Sequence, residues 1–145
     1  MRWIEQRTNH SCGVIAILNI LKWLGEDITY KKDYPIWNAK LRSSKLRGIT
    51  NPEMHYALCK IKRCAVSEVP YITMGVIEET LNAGEIVCLS SEDHFSLITD
   101  MKNDRLFVVN NAGHHWRRKS TVKNILLKRG KTKYDIYPIG FRIEK

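Results

Sequence analysis

The residue of this sequence best placed to act as a nucleophile is Cys12. It follows the polar residues 9–11 and precedes a strongly apolar segment, so its thiol is predicted to lie at a helix N-terminus. A thiol attacks only as a thiolate, and a helix N-terminus and a neighbouring imidazolium both lower its pKa. Gly13 comes next and is expected to leave room for a substrate. Cys12 is therefore predicted to be catalytic, and the alternative is a structural cysteine at a helix start.

The base must come from another part of the chain, and His94 is the candidate. It begins an apolar segment predicted to be a strand, and Asn110 ends the following predicted strand, 16 positions later. In a hairpin centred on Lys102 the facing pairs are Ile98 with Leu106, Ser96 with Val108, and His94 with Asn110. Facing side chains in a hairpin are close enough to touch. The carboxamide of Asn110 can then orient the imidazole, as in Cys-His-Asn sites.

Other residues compete for these two roles. Asn111 points to the opposite face in this register, and a bulge would exchange it with Asn110. His114 and His115 are rival bases. They lie in a polar, basic segment predicted to be a loop, which suits contact with solvent or a ligand better than base catalysis.

Acyl transfer also requires hydrogen-bond donors for the oxyanion that develops in the transition state. The backbone N–H of Cys12 is one candidate donor. The side-chain amide of Gln6, six positions before the thiol, is the second. Gln6 as a plain surface residue is the alternative.

A metal site is the competing interpretation of the remaining cysteines. Cys59 and Cys64 lie close in sequence, and His55 is nearby, but a fourth ligand at suitable spacing is missing. These cysteines and Cys88 are predicted to be free thiols, because the sequence has no secretion signal. No metal and no cofactor are expected.

The elements that must position these residues are predicted from apolar periodicity and caps. A helix from Cys12 to about Leu24 ends at Gly25, and its apolar residues cover most of its circumference, which predicts burial at the centre. Further helices are predicted from Thr50, over residues 73–82 and over 120–129, and residues 31–47 as loop or irregular helix. Strands are predicted at residues 65–72, 85–89, 94–99, 105–109 and 134–143. Helices first and a clustered sheet afterwards indicate an α+β fold.

Size and composition indicate one ordinary globular domain. The chain has 145 residues, of which 43% are hydrophobic and 27% charged, so a disordered chain is excluded and a single domain, residues 1–145, is expected. No apolar run reaches membrane-spanning length, and the N-terminus does not resemble a signal peptide. A cytoplasmic protein without a membrane partner is therefore expected.

The net charge of +9 is unevenly distributed. Between Arg117 and Lys133 the sequence carries many lysines and arginines and no acidic residue. This basic stretch is either a solvated surface or a contact for an acidic partner, such as nucleic acid or an acidic protein surface. Charge alone does not distinguish the two.

Two motifs resemble those of papain-like cysteine peptidases. The first is Gln6 six positions before the pair Cys12–Gly13, and the second is His94 with Asn110 sixteen positions later. His94 follows Cys12 by only 82 residues, so the layout looks closest to the bacterial double-glycine leader peptidase domains, which process bacteriocin precursors, and to their stand-alone relatives. The resemblance implies a papain-like fold in which a buried N-terminal helix carries the cysteine and packs on an antiparallel sheet. It also implies catalytic roles for these residues.

The sequence departs from that family at several positions. Ser11 stands where these domains usually carry aspartate, and Asn110–Asn111 stands where many carry Asp-Pro. Because this sequence ends at Lys145 without a transporter segment, leader processing coupled to export is not expected. The resemblance extends to Gly113 and does not account for the basic stretch.

From these residues we expect a thiol-dependent hydrolase. It would cleave a peptide or isopeptide bond of a peptide or protein substrate through an acyl-enzyme intermediate on Cys12, using His94 and Asn110. A deamidase or acyltransferase with the same residues is one alternative, because the acyl-enzyme step is common to all three. A peptidase-like binding module that contacts an acidic partner is the other, and a pure binder would have no need of the three residues.

Overall fold

The structure is a computed structural model that describes residues 2–8, 10–41, 48–91, 94–110, 113–128 and 138–145. Its helices are α1 (Cys12–Trp23), α2 (Tyr30–Leu41), α3 (Asn51–Cys59), α4 (Met74–Asn82) and α5 (Lys119–Leu126). Its strands are β1 (Ala65–Pro70), β2 (Ile86–Ser91), β3 (His94–Lys102), β4 (Arg105–Val109), β5 (His114–Arg118) and β6 (Ile139–Glu144).

The described strands form one antiparallel sheet in the order β1-β6-β2-β3-β4-β5. Alternate residues of β2 enter separate clusters, because successive strand residues point to opposite faces. Cys88 packs with α1, α2 and α3, whereas Val87 and Leu89 pack with α4 and α5. The sheet therefore lies between two helical layers, which confirms the α+β fold with a cysteine-bearing helix packed on an antiparallel sheet.

Helix α1 is the centre of the first layer. Every residue from Cys12 to Leu21 is buried, as the apolar pattern predicts. The helix stops at Leu24, and Gly25 follows with a φ of 95°, a left-handed conformation that suits glycine. The predicted bounds of this helix are thus confirmed.

The helices α3 and α2 are each stabilised by contacts between residues close in sequence. The helix α3 begins after Thr50, as the sequence predicts, and Thr50 and Glu53 form a capping box at its start. The segment expected to be loop or irregular helix contains all but the first residue of the twelve-residue helix α2. Stacking of Tyr30 on Tyr34, with ring centroids 4.7 Å apart, ties adjacent turns of α2 together. The last six residues of that segment, 42–47, lie outside the described chain.

The hairpin that carries His94 has a different register from the one predicted. Strand β3 continues to Lys102, which pairs with Arg105 across a tight turn in which Asn103 has a φ of 55°. A register shift between Ile98 and Asp100 follows, so the facing pairs are Met101 with Leu106, Ile98 with Val108, and Leu97 with Val109. The predicted pairs of Ile98 with Leu106 and Ser96 with Val108 are wrong. The tighter turn and the bulge are the physical reasons.

Strand β5 is missing from the sequence-based prediction. His114 and His115 belong to this edge strand rather than to a loop, and it pairs with β4. All five of its side chains are half-buried or exposed, so its sequence lacks the alternation of apolar and polar residues that usually indicates a strand. Trp116 packs edge-on against Phe107, with centroids 5.3 Å apart.

The C-terminal elements largely follow the prediction. Helix α5 starts one residue before the predicted helix, and its predicted end at residue 129 lies outside the described chain. The last strand, β6, begins at Ile139; residues 134–137 of the predicted strand also lie outside. None of the helices in the described part is long and apolar enough to cross a membrane.

Candidate active site

Cys12 is the first residue of α1 and is only 6% exposed. The preceding Ser11 occupies the N-cap position, but its hydroxyl donates to the Thr8 carbonyl at 2.9 Å and makes no capping bond. The side chain of Ser11 therefore leaves the first turn of the helix uncapped, beside the thiol. The partial positive charge of that end favours a thiolate.

Cys12 and His94 form a hydrogen-bonded pair with opposite shifts in pKa. Burial raises the pKa of the Cys12 thiol, but its hydrogen bonds to His94 and to the Phe95 backbone outweigh burial and hold it below its usual value. Burial lowers the pKa of His94, yet its bonds to Cys12 and to the Asn110 backbone hold it above its usual value. The two opposite shifts in pKa favour the thiolate and imidazolium form of the pair, which is the reactive form of a cysteine nucleophile.

Asn110 contacts His94 through its main chain. The Nε2 of His94 hydrogen-bonds to the backbone carbonyl of Asn110, so it carries the proton. This leaves Nδ1 for Cys12. Asn110 has a φ of 71°, which turns it out of the line of β4, and asparagine tolerates this conformation better than most residues. The structure thus joins His94 and Asn110, but not through the facing side chains that the predicted hairpin implies.

The carboxamide of Asn110 makes no such contact. Its Nδ2 atom is buried and has no hydrogen-bond partner in the described part of the chain. The backbone N–H of Asn110 donates to Nδ1 of His114 at 3.1 Å. Asn111, the alternative to Asn110, lies outside the described residues.

Gln6 lies in the same cleft as Asn110. Both residues line a cavity of about 370 Å³. The Gln6 side-chain amide donates to the Thr8 carbonyl at 2.6 Å, so in this conformation it is turned onto its own segment. A rotation of the side chain is needed before it can meet an oxyanion at Cys12.

The segment that carries Gln6 is held by helix α1, through residues that sequence reasoning missed. Asn19 is fully buried; its Oδ1 accepts from the Ile4 N–H at 2.8 Å, and its Nδ2 donates to the Ile4 carbonyl at 3.0 Å. One turn further on, Lys22 donates to the Arg2 carbonyl. The sequence does contain a signal for this contact. Asn19 is a single amide within an apolar helix, and a buried polar side chain normally has hydrogen-bond partners.

Helix α2 holds the residues just before the nucleophile. The Tyr34 hydroxyl is hydrogen-bonded to the side chains of Thr8 and Ser11. The Arg7 guanidinium lies 4.0 Å from the centroid of the Tyr30 ring. These contacts fix the approach of the chain to Cys12 from a second side.

Gly13 has a different role from the expected one. A Cβ at this position would overlap the side chain of Ile49, which fills the space that glycine leaves. The absence of a side chain therefore serves packing against Ile49, and the expectation of room for a substrate is wrong.

The rival base His114 is half-buried and hydrogen-bonded to the Asn110 backbone. Burial lowers its pKa. His115 is exposed and lies against Gly113, where a Cβ would be 2.7 Å from its Nε2. The hydrogen bond to Cys12 is made by His94.

The other cysteines differ sharply in accessibility. Cys88 is fully buried, and burial raises its pKa far above the usual value. Cys64 is half-buried, with its pKa also raised by burial, and Cys59 is exposed. His55 lies 3.7 Å from Glu68. Within the described ranges, no group of three or more histidine, cysteine or acidic residues is arranged to hold a metal ion.

Comparisons with known proteins give one consistent result. No family model matches the sequence, and no curated protein matches it. Among solved structures, the peptidase domain of Streptococcus ComA, a bifunctional ABC transporter involved in a quorum-sensing pathway, aligns with a TM-score of 0.71 at 10% identity, over 97% of this chain and 96% of that one. The chain has the fold of a double-glycine peptidase domain.

Two further structures share this peptidase fold. A C39-like peptidase from Bacillus anthracis aligns with a TM-score of 0.67 at 7% identity, over 97% of this chain and 93% of that one. A double-glycine-motif protease from an AMS/PCAT transporter, solved with its leader peptide, gives 0.66 at 10% identity, over 99% and 91%. The resemblance noted in the sequence is thereby confirmed at the level of fold.

Proposed function

We propose that this protein is a papain-like cysteine peptidase that cleaves a peptide or isopeptide bond through an acyl-enzyme on Cys12. The observation that carries the proposal is the hydrogen-bonded pair of Cys12 and His94 at the start of a buried helix, with the pKa of the thiol lowered and that of the imidazole raised. Opposite shifts of a thiol and an imidazole in contact are typical of activated cysteine nucleophiles.

The reaction follows from the positions of the protons. The Cys12 thiolate attacks the substrate carbonyl carbon, and the carbonyl oxygen becomes an oxyanion, stabilised by the Cys12 backbone N–H and, after rotation, by the Gln6 amide. The imidazolium of His94 gives its Nδ1 proton to the leaving amine as the C–N bond breaks, which leaves a thioester. Water then attacks the thioester, His94 takes its proton, and the proton returns to the pair as the acid product leaves.

The Asn110 carbonyl acts throughout as an orienting group. By accepting from Nε2–H it fixes the tautomer and the ring plane, so Nδ1 stays on the side of the thiol. A main-chain carbonyl thus performs the task of the carboxamide in a Cys-His-Asn site.

A peptide is the substrate class that the fold favours. The similar protease of an AMS/PCAT transporter was solved with a leader peptide. This chain has a cleft lined by Gln6 and by Asn110, the residue whose carbonyl accepts from His94. We further propose that residues 1–145 act as one peptidase domain in the cytoplasm.

The basic stretch between Arg117 and Lys133 remains a proposed contact for an acidic partner. Part of its charge is already engaged, because Lys119 lies 3.7 Å from Glu78. Residues 129–133 of this stretch lie outside the described chain.

The test is thiol labelling together with turnover of peptides that contain Gly-Gly. We expect iodoacetamide to modify Cys12 first at neutral pH, and Cys12→Ala to abolish both this labelling and cleavage. Cys59→Ala is the matched control, because Cys59 is the exposed thiol that competes for the reagent. If Cys12 reacted only at alkaline pH, or Cys12→Ala still cleaved the peptides, the proposal would be wrong.

A further inference from the structure

Three cations lie side by side at the end of the sheet that is far from His94. Lys102 faces Arg105 across the turn between β3 and β4, and Arg105 faces Arg118 across β4 and β5. Facing residues of antiparallel strands have their side chains on the same face, so the three side chains form one row of positive charge. Like charges directly opposite each other destabilise a sheet. The stability of the fold therefore does not explain this row.

The nearby acidic residues do not neutralise the cationic row. All three of its side chains are exposed, and in the part of the chain that the structure describes none of them forms an ion pair. Asp104 lies in the turn, and Asp100 faces Phe107 in the next row of the sheet, where its carboxylate accepts from the Met101 N–H at 2.8 Å. The row thus keeps a net positive charge even when both aspartates are counted.

An exposed aromatic ring adjoins the cationic row on the same face. Trp116 precedes Arg118 by two residues in β5 and is 39% exposed. One side of its ring is occupied by Phe107, with the centroids 5.3 Å apart. Together with residues 102–105, Trp116 lines a surface pocket of about 480 Å³. The pocket therefore combines an aromatic wall and the aliphatic stems of Lys102 and Arg105 with charged groups at its rim.

We propose that Trp116 and the cationic row form a docking surface for an acidic peptide segment of a partner protein. The pocket takes an aromatic or aliphatic side chain of that segment, and the row pairs with the carboxylates on either side of it. Charge complementarity selects this partner, because bound carboxylates relieve the repulsion within the row. Each guanidinium can also bind a carboxylate through two parallel hydrogen bonds.

An acidic peptide fits this surface better than a nucleic acid does. Asp100 and Asp104 lie beside the ring of Trp116, and they repel a phosphate backbone that carries a charge on every nucleotide. A peptide can place neutral residues opposite the two aspartates and its carboxylates opposite the cations.

This docking surface gives a location to the acidic contact proposed for the basic stretch, of which it uses only Arg118, and it rests on that part of the proposed function alone. His94 and Lys102 are the first and last residues of the nine-residue strand β3, so roughly 25 Å separates the surface from the catalytic pair. A result against the docking surface therefore leaves the peptidase proposal intact, and a failure to cleave peptides leaves the docking surface intact.

The probe is a synthetic peptide with a central leucine flanked on both sides by glutamates, blocked at both ends and titrated into the full chain by calorimetry. One reference peptide replaces the glutamates by glutamine, and another replaces the leucine by serine. We expect the acidic leucine peptide to bind at least about ten-fold more tightly than either reference. Its affinity should fall as the salt concentration rises, because the charges on this surface are exposed.

Arg105→Glu is the sharpest variant, because it places a carboxylate between Lys102 and Arg118. It should weaken binding of the acidic leucine peptide at least about ten-fold. The melting temperature should stay the same or rise, because attraction replaces repulsion within the row. Arg63→Glu is the matched control: it makes the same exchange at an exposed arginine next to β1, the strand at the opposite edge of the sheet. It should leave the affinity unchanged.

Trp116→Ala tests the pocket separately from the charges. It should weaken binding of the acidic leucine peptide roughly ten-fold and should remove the preference for leucine over serine. If Arg105→Glu failed to fold, Arg118→Glu would decide the question of charge in its place.

Four results would overturn the docking surface. They are no binding of the acidic leucine peptide, equal binding of the glutamine peptide, equal affinities of Arg105→Glu and Arg63→Glu, and no effect of Trp116→Ala. A single-stranded oligonucleotide is titrated in parallel. If it bound more tightly than the acidic peptide and lost this binding in Arg105→Glu, the surface would be a nucleic-acid site and the proposal would be wrong.

Discussion

The two walls of the active site are built in different ways. The wall that carries Cys12 is held by side chains that bind backbone or neighbouring hydroxyls: Asn19 on Ile4, Lys22 on Arg2, and Tyr34 on Thr8 and Ser11. The wall that carries His94 is set by main-chain geometry, namely a bulge in β3 and the left-handed Asn110 after β4. Substitutions should therefore act on the first wall through lost side-chain bonds and on the second through lost backbone conformation.

The largest expected effect is on the second wall. His94→Ala removes both the proton donor and the partner of the thiolate, so turnover should fall roughly 10³- to 10⁴-fold. The burial that raises the pKa of Cys12 is then opposed mainly by backbone hydrogen bonds, so iodoacetamide labelling should move from neutral to alkaline pH. His55→Ala, at a histidine paired with Glu68 away from Cys12, is the control. Labelling at neutral pH that survives His94→Ala would show that the thiol is activated by its own wall alone.

Gln6→Ala tests the first wall directly and should have the next largest effect. The loss of one oxyanion donor typically lowers kcat roughly 10²- to 10³-fold, with KM little changed. Iodoacetamide labelling of Cys12 should persist, because alkylation forms no oxyanion. Arg2→Ala is the control, since its side chain is exposed and its main chain makes the bond to Lys22. If Gln6→Ala kept full turnover, Gln6 would not be an oxyanion donor, and its hydrogen bond to Thr8 would be its only role.

How much of the site could be predicted from sequence also differs between the walls. Cys12 at a helix start follows from local periodicity and a polar break, and the observed bounds of α1 agree with it. Which residue contacts His94 depends on the register of the hairpin. A bulge between Ile98 and Asp100 shifts this register, and no local sequence pattern predicts the bulge. The spacing of His94 and Asn110 predicted their proximity, yet the contact is made by a carbonyl that every residue possesses.

Asn19→Leu should have the third largest effect. Leucine keeps the branched shape but leaves the N–H and carbonyl of Ile4 without their partner, so the free energy of unfolding should fall by about 2 to 3 kcal/mol. Because segment 2–8 carries Gln6, kcat should also fall in protein that remains folded. Both quantities are measured by chemical denaturation and by turnover at a temperature well below unfolding.

The control for Asn19→Leu is Thr80→Val. Thr80 is also fully buried, and its hydroxyl donates to the Val76 carbonyl at 2.7 Å in α4, on the far face of the sheet. It should lower stability while leaving kcat unchanged. If Asn19→Leu affected kcat no more than Thr80→Val does, the clamp on Ile4 would serve stability only.

The smallest effect is expected for Tyr34→Phe, which removes a single hydroxyl from the first wall. The ring stack with Tyr30 is retained, while the hydrogen bonds to Thr8 and Ser11 are lost. One such exchange typically costs about 1 kcal/mol of unfolding free energy. Ser11 still donates to the Thr8 carbonyl, so the turn before Cys12 should loosen without opening.

Turnover resolves this effect best, because Gln6 and Cys12 lie on opposite sides of that turn. We expect kcat to fall by a few-fold and the pH profile of Cys12 labelling to stay in place, since His94 belongs to the other wall. Tyr56→Phe is the matched control: Tyr56 is 66% exposed and contacts Lys60 through its ring, which phenylalanine retains. If Tyr34→Phe and Tyr56→Phe had the same stability and the same kcat, the side-chain hydrogen bonds of α2 would not contribute to the site. A shift of the labelling profile by Tyr34→Phe would instead show that the two walls are coupled.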